Sequence, residues 1–140
     1  MSLKHWSEKY VGLLYQPGVF DCGVLCEQVQ QAEFGRSVTA PKDRDYYNIP
    51  EGDVVARFKA MSSQVSRVKD QYAQRTESPS DGDAVLLVTR GYMQHLGIYC
   101  LIQGEAYVLH ASESAKQVVL HKLSHLVMKG LKVEGFYKWL

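Results

Sequence analysis

The chain is 140 residues long, 46% hydrophobic and 22% charged, with 4 Pro and 11 Gly, the profile of one globular domain and not of a disordered or fibrous chain. Sixteen basic residues against fifteen acidic ones leave a formal charge of +1, so no long-range field draws it to nucleic acid or to an anionic membrane. Three cysteines without CxxC spacing argue against a disulfide scaffold and a structural zinc site, and no apolar run approaches a membrane span, so no membrane insertion is expected.

Residues 1–140 read as a single domain, with no repeat, low-complexity tract or linker. Met1 to Tyr10 carries Trp6 and several charges where a signal peptide needs an unbroken apolar run, so the expectation is a protein made in the cytoplasm. Trp6 to Leu14 has the spacing of a short helix, broken by Gln16-Pro17-Gly18. A second helix is expected from Cys22. Asp21 is its N-cap, Cys22, Leu25, Cys26 and Val29 recur at three- and four-residue steps, and Gly35 is the stop. Arg36 to Pro50 is polar and bounded by proline, hence a loop. Val54, Phe58, Met61, Val65, Val68 and Tyr72 then repeat at 4-3-4-3-4 spacing, an amphipathic helix of about five turns whose stripe is core packing.

After the turn cluster Ser78 to Gly82 the pattern changes to short runs of Val, Ile, Leu and Tyr. Five strands are expected: Ala84–Thr89, His95–Ile102, Ala106–Ala111, Val118–Leu123 and Val133–Trp139. Their linkers are short enough for antiparallel neighbours. Helices first and strands after give an α+β domain, N-terminal helices packed on an antiparallel sheet of five or six strands.

Cys22 is the first candidate for chemistry. At the first position of a helix it lies among backbone N–H groups at the positive end of the macrodipole, which favours thiolate over thiol. The Asp21 charge works against this, so a cationic histidine partner is wanted. Taken alone, Cys22 also reads as a small buried hydrophobe. Cys26, one turn further on the apolar stripe, and Cys100, inside "GIYCLI", read as inert core thiols.

His95 and His110 strengthen the reading of Cys22. With Gln103-Gly104 as a two-residue hairpin turn, Ile102 faces Glu105, His95 faces Ser112 and His110 faces Gly97. The two histidines then share one face of the ribbon as diagonal neighbours, about 7–8 Å apart along the backbone. Two imidazoles side by side fit a general base and the group that orients it. His121 and His125 form an HxxxH pair, but "VVLHKL" reads as a strand, where they do not align as metal ligands, so no metal and no organic cofactor is expected. Asp81-Gly82-Asp83 is turn chemistry, and no phosphate loop or GxSxG nucleophile motif is present.

"GLLYQPGVFDCGVLCEQVQQAEFG", "SDGDAVLL", "HLGIYCLIQGEAYVLHA" and "VEGFYKW" resemble, in order and spacing, the NlpC-type cell-wall cysteine peptidases, in particular the short branch of tailed phages and prophages. The resemblance implies a papain-like α+β fold and hydrolysis of peptidoglycan stem-peptide amide bonds, between D-glutamate and diaminopimelate or lysine. It implies Cys22 as nucleophile, His95 as general base and His110 as the residue that orients the base. Tyr15, together with Asp21 and Gly23 on either side of the cysteine, is assigned to substrate contact. Members of the family usually continue the cysteine as "DCSGL" or "DCWGL", whereas this chain has Gly23-Val24. Phage tail proteins are the partners that the resemblance suggests, with a virion or the cell wall as destination. A silent binding or tail-structural module of the same fold, or an acyl-transfer enzyme on another substrate, is the alternative.

Overall fold

The computed structural model describes residues 5–16, 19–38, 73–89, 93–112 and 114–139. The amphipathic helix expected from Val54 to Tyr72, and the loop from residue 39 to Pro50, lie outside them.

Six strands form one antiparallel sheet: β1 (Ala73–Thr76), β2 (Ala84–Thr89), β3 (Met93–Ile102), β4 (Glu105–Ser112), β5 (Gln117–Lys122) and β6 (Leu131–Trp139), in the order β1-β6-β2-β3-β4-β5. The four strands from β2 to β5 follow one another as hairpins, while β6 returns across the sheet to lie between β1 and β2. At the β3–β4 turn Gln103 and Gly104 both take positive φ, 52° and 78°, and Ile102 pairs with Glu105. This is the two-residue connection whose twist suits the flanking strands, and the register inferred from sequence holds from Ile102–Glu105 to Ile98–Leu109.

One α-helix is found among the described residues, α1 (Cys22–Phe34). Asp21 caps it: Oδ1 accepts from the Val24 N–H at 3.0 Å, and the backbone of Gly35 closes the other end in the left-handed region. The helix expected over Trp6–Leu14 is instead a 3-10 turn, Trp6–Tyr10, started by His5 Nδ1 accepting from Ser7 N. Residues 12–15 then run beside β5, with Tyr15 N donating to Lys116 O and Val118 N to Leu13 O. Backbone groups here find partners in the sheet that a longer helix would have used internally. The expectation of N-terminal helices is thus met by α1 alone among the described residues, and the domain is richer in strand than expected.

The sheet carries a core on each face. On one, Leu25, Cys26 and Val29 of α1 pack on Leu96, Ile98 and Cys100 of β3, Leu109 and Ala111 of β4, and Ala84 and Leu86 of β2. On the other, Val85, Leu87, Tyr99 and Val108 are closed over by Leu126, from the pair of 3-10 turns between β5 and β6. Each fully buried leucine here contributes about 2 kcal/mol by removal from water. The end of α1 is tied down at Gly82, whose carbonyl accepts from Gln30 Nε2 (2.9 Å) and Trp139 Nε1 (3.2 Å).

Candidate active site

The chain reverses between Gln16 and Phe20, which are bridged to each other, so Cys22 begins α1 only a short step from Tyr15. Tyr15 is anchored to Lys116, just before β5, and Gln117 of β5 pairs with Ser112 at the end of β4. His110 is two residues back along β4. His95 stands near the start of β3, opposite Leu87 of β2. The helix start and both histidines therefore gather at one end of the sheet. Tyr15 and Cys22 are buried there in the same cluster as Ala111 and Val118.

His95 Nε2 lies 3.0 Å from His110 Nδ1, with the rings edge to face. A third imidazole follows: His110 Nε2 lies 3.2 Å from Nδ1 of His121 on β5. In the sequence His121 stands out only through its HxxxH spacing with His125. The signal was the β4–β5 register, in which His121 faces Val108 and so lands on the same side as His110. Among the described residues, the hydrogen bonds of His95 are confined to Nε2, which leaves Nδ1 for a further partner.

Strand alternation decides which face the rings occupy. Leu96, Ile98 and Leu109 point to α1, whereas His95, His110 and His121 lie on the face of Leu87 and Val108. The body of α1 is thus on the opposite face, and Cys22 can approach His95 only around the end of the sheet. The β3–β4 pairs run from Ile102–Glu105 to Ile98–Leu109 and stop short of both histidines, and Gly97 brings no side chain to that mouth. No hydrogen bond joins Cys22 to His95 among the described residues.

The other residues singled out from sequence fall as follows. Asp21 is buried and serves as the helix cap. Gly23 is buried beside Cys22, and its N–H takes no acceptor among the described residues. Cys26 and Cys100 are fully buried, and burial pushes both thiols up, Cys100 to about 12. His5, Asp81 and Cys100 bring potential ligand atoms within 4.8 Å of one another. Asp81 already accepts from Trp6 Nε1 (2.7 Å) and Leu101 N (2.9 Å) and bonds His5 Nε2 (3.0 Å), so its oxygens are spent on structure.

Burial holds the His95 imidazole at about 4, and burial with two neighbouring rings pushes His110 lower still. The unfolded chain takes protons on these rings below about pH 6.5, while the folded protein does not until His95 titrates. Stability should therefore fall as pH drops from about 6.5 towards 4. The urea midpoint, followed across that window, should fall less steeply in His110→Gln; parallel slopes would show the rings are not held neutral.

The NlpC/P60 family model matches residues 7–134, which takes in the capped cysteine, His95, His110 and His121. The chain belongs to the NlpC/P60 family. No curated protein matches it. Members of this family are generally cysteine peptidases that hydrolyse the cell wall and act on peptidoglycan. Among the described residues, no helix of this NlpC/P60 domain is long and apolar enough to cross a membrane.

Proposed function

We propose that this NlpC/P60 domain is a cysteine endopeptidase cutting stem-peptide amide bonds between D-glutamate and diaminopimelate or lysine. The observation that carries the reading is the His95 Nε2–His110 Nδ1 hydrogen bond, made at the end of the sheet where Cys22 begins a capped helix. With Nε2 tied to His110, the base lone pair of His95 is at Nδ1. Catalytic hydrogen bonds are often long without substrate and tighten when it binds, so a Cys22–His95 contact completed in the complex fits the geometry.

In the proposed reaction Cys22 gives its proton to His95 Nδ1, and the thiolate attacks the scissile carbonyl carbon. The oxyanion is received at the helix start, where the Gly23 N–H has no acceptor among the described residues and the helix dipole is positive. His95 returns the proton to the amine as the C–N bond breaks, leaving a thioester on Cys22. Water, giving a proton to His95, attacks the thioester and releases the carboxylate. His110 accepts from His95 Nε2–H throughout and stabilises the imidazolium that forms. Tyr15 and Gly23 line the approach to the sulfur, and Asp21 holds the helix end in place. A place in a phage tail fits the reading drawn from the sequence.

The test is digestion of purified muropeptides by the full chain, read by mass spectrometry, together with iodoacetamide labelling at about pH 6. The expected result is a cleaved stem peptide and alkylation of Cys22 ahead of Cys26 and Cys100. Gly23-Val24 after the cysteine favours one rival, a silent module of the same fold, and for that rival Cys22 would resist alkylation and no peptide would be cut. A reactive Cys22 with intact stem peptides would point to a different acyl substrate.

A further inference from the structure

His110 spends both ring nitrogens on other imidazoles, Nδ1 on His95 and Nε2 on His121. It is buried, at 2% exposure, and kept neutral. A neutral imidazole has one N–H, so His110 donates at one of these contacts and accepts at the other. The two contacts cannot be set independently.

We propose that His121 is a positioning residue for the peptidase reaction, and a proton-operated switch on it, because the state of its Nδ1 dictates through His110 which nitrogen of His95 carries the proton. The inference rests on the peptidase reading above for its consequence, though not for its chemistry. When Nδ1 of His121 is bare, it accepts from His110 Nε2–H. Nδ1 of His110 then accepts from His95 Nε2–H, and Nδ1 of His95 keeps its lone pair for the cysteine proton. When His121 takes a proton from water at Nδ1, that N–H points at His110 Nε2, which must give up its own. The proton of His110 is relocated to Nδ1 and donated to His95 Nε2, and the proton of His95 is relocated to Nδ1. One proton has entered, on His121. His95 and His110 remain neutral, but the base now faces the cysteine with an N–H and no lone pair.

The surroundings of His121 set the direction of the switch. His110 lies beside it on β4, and Lys129 and His125 face it from the turns that follow β5. Burial, and then the charges of Lys129 and His125, lower its affinity for a proton. The row is therefore aligned for catalysis at neutral pH and reverses in acid, below the ordinary imidazole range.

Tautomers can be read directly by long-range proton–nitrogen NMR of the full chain labelled at histidine, in the wild type, His121→Asn and His121→Ala. At neutral pH His95 should carry its proton at Nε2. In the wild type the His95 nitrogens should exchange roles as His121 titrates. In His121→Asn, whose carbonyl accepts without titrating, the neutral pattern should persist into acid. In His121→Ala the preference should weaken, with kcat/KM on stem peptides down about tenfold at unchanged KM. The acid limb of kcat should move to lower pH in His121→Asn. Identical His95 tautomers in wild type and His121→Asn across the whole titration would overturn the proposal, and His121→Asn carries the test if the alanine variant does not fold. Because the NMR arm needs no substrate, a reversing row in a protein that cuts no muropeptide would sink the peptidase reading and leave the relay standing.

Discussion

Replacing Cys22 with alanine is expected to lower stem-peptide hydrolysis by about 10⁴-fold or more, the scale on which removal of a covalent nucleophile is felt. The folded state should barely notice. Cys22 is a small side chain at 6% exposure on the edge of the helix-side core, and the cap that starts α1 is made by Asp21 and Val24, not by the sulfur. The loss of one buried sulfur costs about 1 kcal/mol at most, so thermal unfolding should shift only a few degrees. Cys22→Ser should be nearly as inactive, since an alcohol is a far weaker acid than a thiol and a site built around a thiolate does not activate it to the same degree. Cys26→Ala opens a cavity in the core and should cost stability while leaving turnover in the folded fraction intact. Turnover that survives in Cys22→Ala would place the nucleophile elsewhere.

The same variant combined with His95→Gln tests whether cysteine and histidine act as one unit. Groups that work together are grossly non-additive, so the double variant should be no worse than Cys22→Ala alone. A double variant slower than either single by the product of their effects would mean that His95 serves some separate purpose. That outcome matters here because the rings lie on the sheet face away from the body of α1, and only the sheet end lets the two meet.

What was legible in the sequence was local. Asp21 and Gly35 mark the ends of α1 because caps are decided within a few residues of the chain, and Gln103-Gly104 fixes the β3–β4 register because a two-residue turn leaves no slack. From that register the His95–His110 pairing followed. The rest depended on contacts between distant segments. β1 is four mostly polar residues, Ala73 to Thr76, and becomes a strand only by pairing with Phe136 to Trp139 of β6. Nothing local announces that β6 inserts between β1 and β2. Trp6 to Leu14 has the spacing of a helix, yet its second half is drawn alongside β5 instead. His121 is obscured in the sequence by its spacing of four from His125, which suggests a helix face where the chain forms a strand. Extending the ladder from β4 into β5 would have found it, since a strand presents every second side chain to the same side.

Gly82→Ala is expected to be the most damaging single methyl in the described fold, at about 3 kcal/mol, or about 10 °C in the melting temperature. Two costs combine. Gly82 has φ of +94°, a conformation that costs a residue with Cβ about 1–2 kcal/mol. The added Cβ would also sit 2.4, 2.6 and 2.9 Å from three atoms of the Phe34 ring. Phe34 cannot simply swing aside, for Trp6 packs edge-on against it at 5.5 Å and the Arg36 guanidinium lies over its face at 5.0 Å. Moving the ring would also disturb the Gly82 carbonyl that holds Gln30 and Trp139. Gly104→Ala separates the two costs: its φ is +78°, but nothing lies within 4 Å of the new methyl, so it should lose only the backbone share, about 1–2 kcal/mol. Adding Phe34→Ala to Gly82→Ala should recover part of the packing share, a coupling that a double-mutant cycle measures. If the two glycine variants lost equal stability and the cycle showed no coupling, the Phe34 ring would not be what closes α1 against the sheet.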